Sequence, residues 1–113
     1  MNDGVKRGLL LKMGLARRAG LAVIGQDRIR TEISAGKAPL LLFLSNDASP
    51  AVERRFLSAA AKRGDCAVHL ESVSRWELGA ALGLASVQVV GLPLASQFAE
   101  MLLEDLRREG DVI

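Results

Sequence analysis

The chain is poor in the residues from which most catalytic and metal sites are made. One cysteine excludes an internal disulfide and suits a reducing compartment. With one histidine besides, the usual Cys/His metal sites cannot be assembled. Cys66 and His69 are the nucleophile–base pair of note, and on a strand their odd separation sends them to opposite faces, so no dyad forms. Tyrosine is absent, and three Phe with one Trp are too few for an aromatic sheet that stacks bases. Apolar runs such as "APLLLFL" are far too short to span a bilayer, and no signal pattern opens the chain. It reads as soluble and cytoplasmic.

What is present is enough for a core. Half of the 113 residues are hydrophobic, which fits one domain over 1–113 without staples, its first five residues frayed or marking a cut in a larger chain. The formal charge of +2 hides an asymmetry. Residues 1–37 carry eight Lys/Arg against three Asp/Glu, or +5, and the remainder carries seven against ten, or −3. That polarity suits a polyanionic partner, although solvated helix faces would give the same count.

Helical and strand patterns alternate along the chain. "KRGLLLKMGLARRAG" reads as a helix ended by Gly20, with Gly14 as a weak point inside it. "LAVI" is a short strand, and "QDRIRTEISAG" is a helix with Ile29 and Ile33 on one face. "PLLLFLS" is a continuous apolar run, the mark of a strand buried on both sides. Ser49-Pro50 starts the next helix, with Val52 and Phe56 inward. "CAVHLE" is a strand, and Ser74 with Glu77 forms a capping box opening "RWELGAALG". "SVQVVGL" is a strand, and a helix from Pro93 to Glu109 closes the chain. The alternation predicts a three-layer α/β/α sandwich with Leu41, Phe43, Val68 and Val89 in its core. Trp76, just inside a helix start, reads as cover for the core edge, with base stacking as the alternative.

Gly25 stands where a strand gives way to a helix. A glycine there exposes backbone N–H groups and the positive end of the helix dipole, so an anion site is the first candidate. Gly20 and Gly25 have the G-x-x-x-x-G spacing of a phosphate-binding P-loop. Gln26 and Asp27 occupy the Lys and Ser/Thr positions, however, and the aspartate would repel phosphates.

The stretch "GQDRIRTEISAGKAPLLLFLSNDASP" with the later "ELGAALG" carries a more specific signal. In it Gly25, Gly36-Lys37-Ala38, Asn46-Asp47, Pro50 and Leu78-Gly79-x-Ala81-x-Gly83 follow in order at matching spacing over about residues 9–95. This pattern resembles the L-seven-Ae and L-thirty-e family of ribosomal proteins, its bacterial YlxQ-like members above all. The resemblance implies an α/β/α sandwich with a four-stranded mixed sheet and binding of kink-turns, bent RNA elements with tandem sheared G·A pairs. Carried over by position, the contacts would be Gly25, Gln26, Asp27, Arg28 and Thr31, with Asn46 and Asp47 nearby. A second loop would be Leu84, Ala85, Ser86 and Val87, covering an extruded base. Lys37 would add charge, as would Arg17, Arg18 and Arg75 if the fold brings them alongside.

The strand end at Asn46-Asp47 has one acid where the family has two, and three positions of the contact helix also depart from the family. Its Asn-Glu is Asp27-Arg28 here, and its helix lysine is Thr31. Arg28 has a planar fork able to grip a guanine edge or a phosphate. The expectation is a non-catalytic domain that binds structured RNA, ribosomal or otherwise kink-turn-like, and so belongs in a ribonucleoprotein or on the ribosome. No cofactor, metal, membrane or small-molecule substrate is expected. The rival is a protein-interaction module that kept the fold and lost kink-turn binding.

Overall fold

The apolar run at 40–44 becomes the strand around which the other elements assemble. The computed structural model describes residues 3–36, 38–63 and 66–109. In chain order the elements are α1 (Asp3–Arg18), β1 (Val23–Ile24), α2 (Gln26–Ser34), β2 (Leu40–Leu44), α3 (Pro50–Arg63), β3 (Cys66–His69), α4 (Arg75–Ala81), β4 (Val89–Pro93) and α5 (Gln97–Glu109). The four strands form one sheet in the order β1-β4-β2-β3. β1 and β2 run antiparallel to β4, and β3 runs parallel to β2, so the sheet is mixed.

All five residues of β2 are buried, because helices cover both faces of the sheet. Leu41 and Phe43 turn to one side, where Leu9, Met13, Leu78 and Leu102 bring α1, α4 and α5 against them. Leu40, Leu42 and Leu44 turn to the other, toward Ile29 of α2 and Val52 and Phe56 of α3. The period of two in β2 thus divides its leucines between two cores. This is the expected α/β/α sandwich, and Leu41, Phe43, Val68 and Val89 are all buried.

The elements differ from the sequence reading mainly at their ends. α1 starts at Asp3, so residues 3–5, expected to fray, form its first turn, with Asp3 at the positive end of the dipole and Lys6 ion-paired to Glu77 of α4. Gly14, a weak point on propensity, has a packing reason: a Cβ there would stand 2.9 Å from the Ala81 carbonyl oxygen. Pro93 ends β4 rather than opening α5, whose start is capped by the Ser96 hydroxyl accepting from the Ala99 N–H. Ser86 to Gln88 precede β4 instead of belonging to it.

Strand direction decides where the candidate segments meet. The C-terminal ends of β1, β2 and β3 and the N-terminal end of β4 lie together. The Gly25 N–H donates to Val89 O, the Ser45 N–H to Gln88 O and the Leu70 N–H to Leu44 O. The Gly25 turn, the 45–47 turn and the 84–88 loop therefore share one end of the sheet.

Candidate nucleic-acid interface

Gly25 is the hinge of this end. Its φ of 93° and ψ of 156° lie in a region that is essentially closed to side-chain-bearing residues. It caps α2, and among the described residues no side chain supplies a capping hydrogen bond. The first N–H groups of α2 are thus left open where the dipole is positive. A Cβ built on Gly25 would meet nothing within 4 Å, so the glycine answers a backbone requirement and leaves open space beside it.

The Leu84–Val87 loop is brought to this turn from α4. Gly79 makes that possible, since a Cβ on it would lie 2.7 Å from Ser86 Cα; the loop's backbone is seated on the helix. The Val87 N–H donates to Arg75 O, and the Leu84 N–H to Gly79 O, so the loop is held at both ends. Between loop and turn lies a concavity of about 350 Å³, lined by Gly25, Gln26, Leu84, Ser86, Val87 and Gln88, with Ile24 and Val89 as its floor. Leu84, Ala85 and Ser86 are exposed, while Val87 is buried.

The other positions carried over from the family are not gathered there. Successive residues of a helix point about a quarter-turn or more apart, and α2 sends its first turn in three directions. Gln26 faces the concavity, and its Oε1 accepts from Arg55 at 3.4 Å. Asp27, 92 % exposed, is ion-paired to Arg30, and the Thr31 hydroxyl donates to Asp27 O, so both belong to the outer face of α2. Arg28 is exposed over the β1 edge, in a second concavity of about 340 Å³ shared with Gly20, Val23, Glu32 and Pro93.

Asn46 and Asp47 act as scaffold. The Asn46 side chain donates to Glu71 O and its N–H to Val73 O, which ties β2's end to the turn before α4. Asp47 receives the Arg75 N–H at 2.9 Å and sits 3.4 Å from the Arg75 guanidinium, which also donates to Asp47 O. Desolvation pushes the Asp47 carboxyl up, but the Ser45 side chain and both donors of Arg75 outweigh it and hold the group below its usual range. Glu77 is held low by the Lys6 ammonium first and then by the Ser74 N–H it accepts in the capping box. Lys37 lies outside the described residues; Gly36 and Ala38 beside it belong to the sheet's opposite end, where β2 begins.

One residue not singled out for the site joins it. Gln88 lines the concavity and accepts the Ser49 N–H, and a lone amide in the apolar run "SVQVV" was its signal. From α1, Arg17 comes beside the loop and not into the concavity: its guanidinium nitrogen lies 3.4 Å from where a Gly83 Cβ would be. Of the three arginines expected to widen the basic surface, Arg17 borders the loop and Arg75 is engaged with Asp47.

Two solved structures share this architecture. A protein of unknown function from Bacillus halodurans superposes with a TM-score of 0.77 at 23% identity, covering 88% of this chain and 96% of that one. The Giardia lamblia 15.5kD RNA binding protein does so with a TM-score of 0.73 at 19% identity, covering 99% of this chain and 93% of its own. The likeness is one of fold. No family model matches the chain, and no curated protein matches its sequence.

Proposed function

We propose that this chain is a non-catalytic RNA-binding domain of the L-seven-Ae and L-thirty-e kind, cytoplasmic and ribosome-associated. It docks structured RNA at the end of the sheet where the Gly25 turn meets the Leu84–Val87 loop. The observation that carries this reading is the concavity of about 350 Å³ between them, where the uncapped helix start at Gly25 and Gln26 and the exposed Leu84 of the loop line one space. A phosphate or base edge suits the first wall and the flat face of a nucleobase the second, and the volume is at the small end for ligand sites. The fold shared with an RNA-binding protein of Giardia supports the same reading. Arg28 and Arg17 add positive charge on either flank.

The test is sequencing of RNA that co-purifies with the protein from its own cell, followed by titration against salt. With about three to five phosphates contacted, log K should fall against log salt with a slope of roughly −2 to −4. Asp27→Asn, Arg28→Glu and Thr31→Lys together restore the family's residues without changing formal charge, because the gains at 27 and 31 offset the reversal at 28. On a standard kink-turn this variant should bind about 1–3 kcal/mol more tightly than the unaltered protein, the scale of a bidentate base contact. Absence of binding to any RNA at low salt would leave the protein-interaction module, which the replacement of the family's residues by Asp27, Arg28 and Thr31 favours.

A further inference from the structure

Trp76 is not the core cover its sequence position suggests: 62 % of it is exposed. The buried face of α4 is made by Leu78 and Gly79, and the cap by Ser74 and Glu77, so packing and capping both proceed without the indole. Yet the backbone beneath it is held from both sides. Arg75, immediately before it, gives its N–H to Asp47 and accepts the Val87 N–H on its carbonyl. An exposed aromatic side chain on so fixed a base loses little freedom on meeting a partner.

Its position relates it to the concavity at Gly25. Residues three apart on a helix stand roughly 5–6 Å from each other. Trp76 is therefore a neighbour of Gly79, on which the Ser86 backbone rests. Ser86 and Leu84 form the rim of the concavity. The surroundings leave a positive balance for a polyanion: Arg17 lies at Gly83 on the loop's flank, while Arg75 is paired with Asp47 and Glu77 with Lys6.

We propose that Trp76 is a stacking platform for an unpaired base of the bound RNA, the nucleotide beyond the one in the Gly25 concavity. The 84–87 loop separates the two bases, and Arg17 contacts the phosphate backbone. This rests on the RNA-binding reading and adds a second subsite to it. Stacking on an indole is tolerant of base identity, so Trp76 contributes affinity and not sequence choice.

The chain has one Trp and no Tyr, so its intrinsic fluorescence reports this residue alone. The full chain is titrated with a kink-turn RNA and with purified ribosomal RNA, reading fluorescence and filter binding in parallel. Quenching should follow the binding curve. Trp76→Ala should weaken binding about 5- to 100-fold, and Trp76→Phe should recover most of it. Because the residue is exposed, neither variant should move the urea midpoint; if Trp76→Ala does, the phenylalanine variant and the quenching decide. Binding without quenching, with Trp76→Ala at unaltered affinity, overturns the Trp76 platform and leaves the Gly25 site standing. No binding of either RNA overturns both. Quenching by a protein from the same cell, with none by RNA, assigns the indole to a protein interface instead.

Discussion

Two helices begin at the same end of the sheet, and they are built in opposite ways. α4 is closed at its start: Ser74 and Glu77 cap each other, Lys6 pairs with Glu77, Asp47 grips Arg75, and the 84–87 loop is bonded to Arg75 and seated on Gly79. α2 is open at its start, with a glycine cap, no capping side chain among the described residues, and space beside it. The first arrangement satisfies its polar groups internally and fixes the loop. The second leaves polar backbone groups unsatisfied at the edge of a concavity. Fixed donors beside a fixed loop form a preorganised site, whereas two open helix starts would have to be ordered by the ligand.

Changes on the closed side should cost most stability. Gly79→Val drives a branched side chain into the backbone of Ser86 and Ala85, and overpacking of that kind costs about 1–3 kcal/mol. Urea unfolding should show a loss near the upper limit, with RNA affinity falling as the loop lifts. An unaltered midpoint would mean that the loop does not rest on Gly79. On the open side, Gly25→Ala meets no atom within 4 Å, so only backbone strain opposes it, about 1–2 kcal/mol. Its effect on RNA affinity should exceed its effect on stability. The comparison fails if stability changes and affinity does not.

Smaller effects sharpen the contrast. Ser74→Ala removes one half of the capping box and should lower stability by about 1 kcal/mol, with little change in RNA affinity beyond that from the loop. Acid should act on the closed side. The carboxyls of Asp47 and Glu77 are both lowered on folding, so their contribution is complete above their ordinary values of 3.8 and 4.5 and is lost as pH falls through the folded values. Stability should therefore decline below about pH 4.5, and Glu77→Gln should flatten the upper part of that decline. An identical acid profile in the variant would show that the box does not titrate.

Local chemistry was legible wherever a few neighbouring residues decide the outcome. The five apolar residues of β2 and the Ser74/Glu77 box announced themselves, because burial on two faces and reciprocal capping each need a fixed local pattern. Pro93 misled, since proline suits a first helical turn as well as a strand's last residue, and the true cap was Ser96. The Gly25 turn was legible as an open helix start, but its partner across the concavity depends on β1 and β4 pairing over a long separation. Arg28 was grouped with Gln26 through the family resemblance, whereas the helix sends these two side chains into different concavities. The exposure of Trp76 was hidden for a related reason: Leu78 and Leu82 already fill the face that a core Trp would need.

The strand order has a consequence for synthesis. β4 lies between β1 and β2, yet it is the last strand to leave the ribosome. A nascent chain can pair β2 with β3, but β1 stays without a partner until residues 89–93 emerge. Closing that gap is a non-local step of the kind that slows folding. The hydrogen bond from Gly25 to Val89 forms in the same step. The concavity at Gly25 therefore comes into existence only once residues 89–93 have been made, however early the Gly25 turn itself emerges.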